Sequence, residues 1–100
     1  MTTKYLLAFT NPVSPEREQE YNDWYTNTHL PEVTALPGFK GAKRFKATQT
    51  QLAGDPSFRF LALYELDDVD LALEALGGAT GLTQTDSTAP ELQLVAFEQI

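Results

Sequence analysis

The sequence contains no cysteine and only 7 lysine and arginine residues against 14 aspartate and glutamate. Without thiols there is no disulfide, no thiolate metal site and no cysteine nucleophile. The shortage of bases leaves a formal net charge of −7. That balance argues against nucleic acid, whose phosphates demand a basic face, and against an anionic membrane surface. With one histidine in the chain, no paired-histidine metal motif can form, and no metal is expected. The apolar run nearest the N-terminus, Tyr5 to Phe9, is too short for a membrane span or a signal-peptide core, so the expected location is the cytoplasm. The segment Leu76-Gly77-Gly78-Ala79-Thr80-Gly81 lacks both the lysine and the strand-to-helix setting of a phosphate loop. Ser14, Ser57 and Ser87 lie in no nucleophile motif.

What is present fits one small domain over residues 1–100, with 42% hydrophobic and 21% charged residues. Neither an internal repeat nor an interdomain linker interrupts it. Tyr5 to Phe9, closed by Asn11-Pro12, reads as a strand buried on both faces. Ser14 as N-cap, Pro15 at the first helical position and Glu16 and Glu18 near the positive dipole end start a helix. That helix is expected to run to about His29, where Pro31 stops or kinks it. Phe39 to Thr50 reads as a long second strand and Phe58 to Leu66 as the clearest strand of all. Asp67, Asp68 and Asp70 open a second helix whose apolar stripe is Leu71, Ala72, Ala75 and Leu76, ended by Gly77-Gly78. A hydroxyl-rich loop, Thr80 to Pro90, precedes a last strand, Leu92 to Phe97.

The order β-α-β-β-α-β with right-handed crossovers gives an α+β, ferredoxin-like sandwich: a four-stranded antiparallel sheet with two helices on one face. The other face should be polar in a monomer. Yet in the third strand Phe58, Phe60, Ala62 and Tyr64 oppose Leu61 and Leu63, and in the last strand Leu92, Leu94 and Ala96 oppose Val95 and Phe97. An apolar second face is unusual for a soluble monomer. The expectation is a homodimer in which two sheets pack face to face.

Chemistry concentrates in residues 21–32. At helical spacing Tyr21, Tyr25 and His29 share one face, with Trp24 and Thr28 on the neighbouring stripe. Such a stripe is often core packing, but the polar tips need partners when buried. His29 is the side chain able to titrate near neutrality, and a place in the last helical turn would favour its protonated form. It reads either as a general acid or base or as a helix-end residue capping carbonyls. Tyr64, at the end of a core strand, can aim its hydroxyl into a helix–sheet cleft. Arg44, within Lys43-Arg44-Phe45-Lys46, reads as an anchor for an anionic substrate or as part of a solvated strand face. Asp23 and Glu32 are candidates to orient His29.

Residues 22–45, NDWYTNTHLPEVTALPGFKGAKRF, resemble the EthD-like members of the dimeric α+β barrel superfamily. The resemblance rests on an aromatic pair in the first helix, the His29-Leu30-Pro31 motif, and a Leu36-Pro37-Gly38-Phe39 turn leading into a strand with Arg44. It implies a ferredoxin-like protomer, a dimer closed through the sheets and a cleft with the histidine at its mouth. Either Tyr25 or Trp24 fills the family's aromatic position. Relatives include polyketide cyclases, lactone isomerases, cofactor-free monooxygenases and haem-degrading enzymes. The reading that follows is an enzyme needing no cofactor, acting by proton transfer on a small aromatic or polyketide-like molecule. His29 would move the proton, Tyr25 or Tyr64 would polarise an oxygen, and Trp24, Tyr21, Phe39 and Arg44 would bind the substrate. A non-catalytic ligand-binding protein with the same cleft, and a haem protein with His29 as axial ligand, are the rival expectations.

Overall fold

A computed structural model describes residues 2–100. Strand β1 (Lys4–Thr10) leads through a 3-10 turn (Pro15–Arg17) into helix α1 (Glu18–Trp24). A π-helical turn (Tyr25–His29) carries the helix without a break into α2 (Leu30–Thr34). Strands β2 (Phe39–Lys46) and β3 (Phe60–Leu66), helix α3 (Val69–Gly77) and strand β4 (Gln93–Glu98) complete the fold. The four strands lie in the order β2-β3-β1-β4, every neighbour antiparallel. This is the expected ferredoxin-like sandwich. No helix among the described residues is long and apolar enough to cross a membrane.

Two boundaries differ from expectation for a physical reason, at the end of the first helix and at the end of the second strand. The first helix does not stop at His29. Pro31 has no N–H to give the carbonyl four residues back, and the helix accommodates it by widening: the amide of Leu30 bonds the carbonyl of Tyr25, five residues earlier. Proline then sits in the first turn of α2, where its missing donor costs little. Ser14 flanks the 3-10 turn in an extended conformation, but its hydroxyl makes no cap bond. The second strand ends at Lys46, because beyond Ala47, whose amide bonds the carbonyl of Arg59, the chain leaves the sheet. In α3, Asp68 caps as expected, accepting from the amide of Leu71 at 2.9 Å. The buried stripe is centred on Ala72, however, and Leu71 is exposed.

Strand alternation sorts the sheet into two faces. Leu6, Ala8 and Thr10 of β1 and Phe60, Ala62, Tyr64 and Leu66 of β3 are buried beneath the helices with Tyr21, Tyr25 and Val33. The opposite face brings Phe45 beside Leu61, Leu61 beside Phe9, Leu63 beside Leu7, Leu7 beside Val95, and Tyr5 beside Phe97. These side chains are half-buried or exposed, Phe97 at 58%.

The turn before β2 fixes where α3 lies. Gly38 has φ +92°, and a Cβ there would stand 2.5 Å from the backbone nitrogen of Ala72. Its carbonyl accepts from the amide of Asp67 at 2.8 Å. Only glycine permits both the left-handed backbone and the close helix approach. Gly38→Ala is expected to cost about 2–3 kcal/mol from strain and overpacking, read by urea denaturation. Gly41→Ala, where nothing lies within 4 Å of the added carbon, is the control expected to change little.

Candidate functional site

Between the long helix, the sheet and the segment 78–92 lies a cavity of about 290 Å³. Its floor is Leu6, Ala8 and Thr10 of β1 and Tyr64 of β3, and the helix supplies Trp24, Tyr25, His29 and Val33. Gln84, Thr85, Thr88, Leu92 and Leu94 close the remaining side, with Leu76 from α3. No lysine, arginine, aspartate or glutamate lines it.

The π turn builds the helix wall. In a regular α-helix Trp24 and His29, five apart, would diverge by about 140°. Closing a turn with five-residue bonding swings them onto one side. Their rings stack, with centroids 4.6 Å apart and 21° between planes. Tyr25 stands edge-on to both, 4.9 Å from His29 and 5.5 Å from Trp24. Both aromatic residues therefore line the cavity, and the choice between them does not arise.

Three polar atoms of these walls are buried with no hydrogen-bond partner among the described residues: His29 Nδ1, the Tyr64 hydroxyl and Thr88 Oγ1. Buried polar groups are nearly always paired, so orphans collected around one cavity are a signal. Tyr64 is 2% exposed. Burial pushes its hydroxyl well above the usual phenol range, and the Tyr25 hydroxyl, a neighbour too distant for more than a weak hydrogen bond, pushes it further. It is a permanent donor at any working pH. Burial raises the Tyr25 hydroxyl too. It lowers His29, against a weaker opposing pull from Glu32. The helix continues past His29, so the end-of-helix dipole invoked for a protonated imidazole is not there. The ring is neutral at pH 7 and can accept a proton.

The other sequence candidates lie outside the lining. Tyr21 is fully buried and its hydroxyl pairs with Thr10 Oγ1, which makes it part of the core. Phe39 is buried against Tyr64, ring to ring at 5.6 Å, and so supports the floor from behind. Arg44 does point inward, between the outward Lys43 and Phe45. Its guanidinium lies 4.5 Å from the Tyr25 ring centre, and its Nη1 donates to Thr26 Oγ1 at 3.0 Å. It stacks behind Tyr25, outside the cavity lining, and its Nε and Nη2 are buried with no hydrogen-bond partner among the described residues. Asp23 is exposed. Glu32 does not orient His29 by a hydrogen bond; it receives the amide and hydroxyl of Thr83 at 2.9 and 2.7 Å. Trp24 Nε1 donates to the Thr83 carbonyl at 3.3 Å. Together they hold the segment 78–92 against the helix.

Sequence reasoning missed that segment's contribution. Thr85 and Thr88 belong to the hydroxyl-rich run, and the pairing of the Val13 and Ala89 amides with the Ser87 and Asn11 carbonyls, at 2.7 and 2.9 Å, helps fold it over the cavity. Tyr64→Phe provides a direct check on the orphaned hydroxyl. Removing an unpaired buried polar atom is expected to stabilise the protein by about 1 kcal/mol. That corresponds to a melting rise of roughly 4–8 °C for a domain of this size. A clear fall would mean that the hydroxyl has a partner.

The chain is thus an antiparallel α+β sandwich that holds an aromatic-walled cavity, free of charged side chains, between helices and sheet. Residues 4–73 match the family described as "Domain of unknown function (DUF4286)", and the chain belongs to that family. The crystal structure of an ethyl tert-butyl ether d (EthD) family protein from Bacillus halodurans C-125 superimposes with a TM-score of 0.65. The match covers 100% of both chains at 21% identity, which makes it a likeness of fold. No curated protein matches the sequence.

Proposed function

We propose that this protein is an enzyme that moves a proton on a small uncharged carbonyl or phenolic molecule held in the cavity. The observation that carries the reading is the trio of unpartnered buried polar atoms, His29 Nδ1, Tyr64 OH and Thr88 Oγ1, around one apolar space. A ligand oxygen would complete what the protein leaves unpaired.

The chemistry follows from the electrostatics. Neutral His29 takes a proton from a carbon next to a carbonyl, and the electron pair moves onto the carbonyl oxygen. Tyr64, kept protonated by burial, donates to that oxygen as its negative charge develops. The imidazolium then returns the proton to carbon or oxygen, so proton count and charge balance over the cycle. Trp24 stacked on His29 fixes the imidazole plane and gives an aromatic wall for a planar ligand.

The open sheet face supports a second part of the reading, a homodimer closed sheet to sheet. Eight apolar side chains, Tyr5, Leu7, Phe9, Phe45, Leu61, Leu63, Val95 and Phe97, stand side by side there.

The test works with simple model ketones in place of the natural substrate. Uncharged aryl ketones such as phenylacetone are incubated with the protein in deuterated water, and exchange of the hydrogens beside the carbonyl is followed by NMR. Exchange faster than buffer, lost in His29→Gln, is the expected result. Saturable binding without exchange across a panel of such ketones would leave a ligand-binding protein and overturn the enzymatic reading.

A further inference from the structure

The cavity has an apolar neighbour on the side of Leu6, Leu76 and Leu94. A second hollow of about 250 Å³ opens between α3 and the edge strand β4. Three residues, Leu6, Leu76 and Leu94, line both spaces. Beyond them the hollow is lined by Leu73, Gly77 and Ala96, so no polar side chain enters it. Leu73 and Leu94 are 41% and 48% exposed, unusual for leucines on the helix-covered side of a sheet. At Gly77 a Cβ would meet nothing within 4 Å, which leaves the trough open where α3 ends. The dimer contact proposed above uses the other sheet face and leaves this trough uncovered.

Resting on the reading of the cavity as a ligand site, we infer that the ligand is two-part: an oxygen-bearing, uncharged head between Trp24, His29 and Tyr64, and an unbranched hydrocarbon chain along the trough between α3 and β4. Adjacency of the two hollows, which have Leu6, Leu76 and Leu94 in common in their walls, picks out this occupant. A chain leaving the head has a dry path past Leu6, Leu76 and Leu94 and no charged group to cross. Neither hollow has a cation in its lining to hold a carboxylate or phosphate, so the polar end of such a ligand is neutral.

A series of 4-alkylphenols tests this with Trp24, the chain's one tryptophan, as an internal fluorescence reporter in the cavity wall. Phenol, 4-ethylphenol, 4-butylphenol and 4-hexylphenol are titrated below their aggregation limits. Affinity is expected to rise about two- to fourfold per methylene, the lower figure where the trough leaves one side of the chain in water. Leu73→Glu and Gly77→Leu, neither touching the aromatic cavity, should bind phenol as the parent does. Both should lose the gain from lengthening, one by charging the trough and the other by filling it. Phenol binding with no chain-length gain in the parent protein would overturn the trough and leave the cavity reading intact. A gain that persists in both variants would also overturn it. No saturable signal from any member would defeat the cavity reading and the trough together. If the series is flat and Leu73→Glu also halves the mass in solution, the trough belongs to a second copy of the chain.

Discussion

Leu7→Asp is expected to convert the proposed dimer into folded monomers, raising the dissociation constant at least a thousandfold. Leu7 sits on the open face of central strand β1, paired with Leu63 on one side and Val95 on the other. Packing two such sheets face to face removes the leucine from water, worth roughly 1.5–3 kcal/mol when burial is complete. Aspartate forfeits that gain and places a carboxylate between apolar neighbours, at a further cost of several kcal/mol unless the contact opens. Two-fold symmetry applies both penalties twice. A thousandfold change is about 4 kcal/mol, well within their sum. The protomer should survive, because Leu7 faces away from the buried cluster that holds the helices. Sedimentation at micromolar concentration should report about twice the protomer mass of 11.1 kDa for the parent chain and the single mass for the variant. Far-UV circular dichroism should be unchanged. The variant's melting temperature should no longer depend on concentration, as it must for a dimer. A parent chain already monomeric at that concentration would sink the dimer.

The two-faced sheet was legible in the sequence because strand periodicity is simple. Alternation in Phe60 to Leu66 by itself assigns each side chain to the correct face. The helix was harder, for a local reason. Pro31 read as a stop or a kink, whereas one widened turn absorbs its missing donor. That same turn brings Trp24 onto His29, a contact that no regular 3.6-residue spacing indicates. The seam between helix and sheet was legible as a cleft wall in Tyr25, His29 and Tyr64. Arg44 was not, since a basic run on an edge strand gives no sign of which member turns inward. Thr88 and Thr85 were beyond reach for another reason. They reach the cavity through long-range backbone pairing of a loop with the residues after β1, and loop sequences carry little periodic information about where they land.

His29→Gln is expected to slow proton exchange by about 10²–10⁴-fold, the range for a positioned general base, while glutamine preserves bulk beside Trp24. The pH dependence gives this loss its mechanistic meaning. Burial holds the imidazole's folded-state pKa below its ordinary 6.5. In the proposed reaction the working form is the neutral one, so the parent rate should be flat through pH 7 and fall on acidification, with the limb centred below 6.5. If the dipole had governed and raised the value, the limb would lie above it. Stability must follow the same group with a fixed sign. A depressed folded pKa means that the unfolded chain binds the proton more readily. Stability is therefore fully present above 6.5 and declines as pH falls from there to the folded value. With one histidine in the sequence, and with the lowered carboxylates Glu20, Glu32 and Asp86 titrating below 4.5, this window belongs to His29 alone among the shifted groups. His29→Gln should flatten the stability curve just below pH 6.5 and leave the carboxylate decline at lower pH in place. Urea midpoints measured at half-unit steps give that curve, and exchange rates over the same steps give the kinetic limb. A stability curve that keeps its slope in the variant, or an exchange rate indifferent to the substitution, would show that the imidazole neither feels the cavity nor works in it.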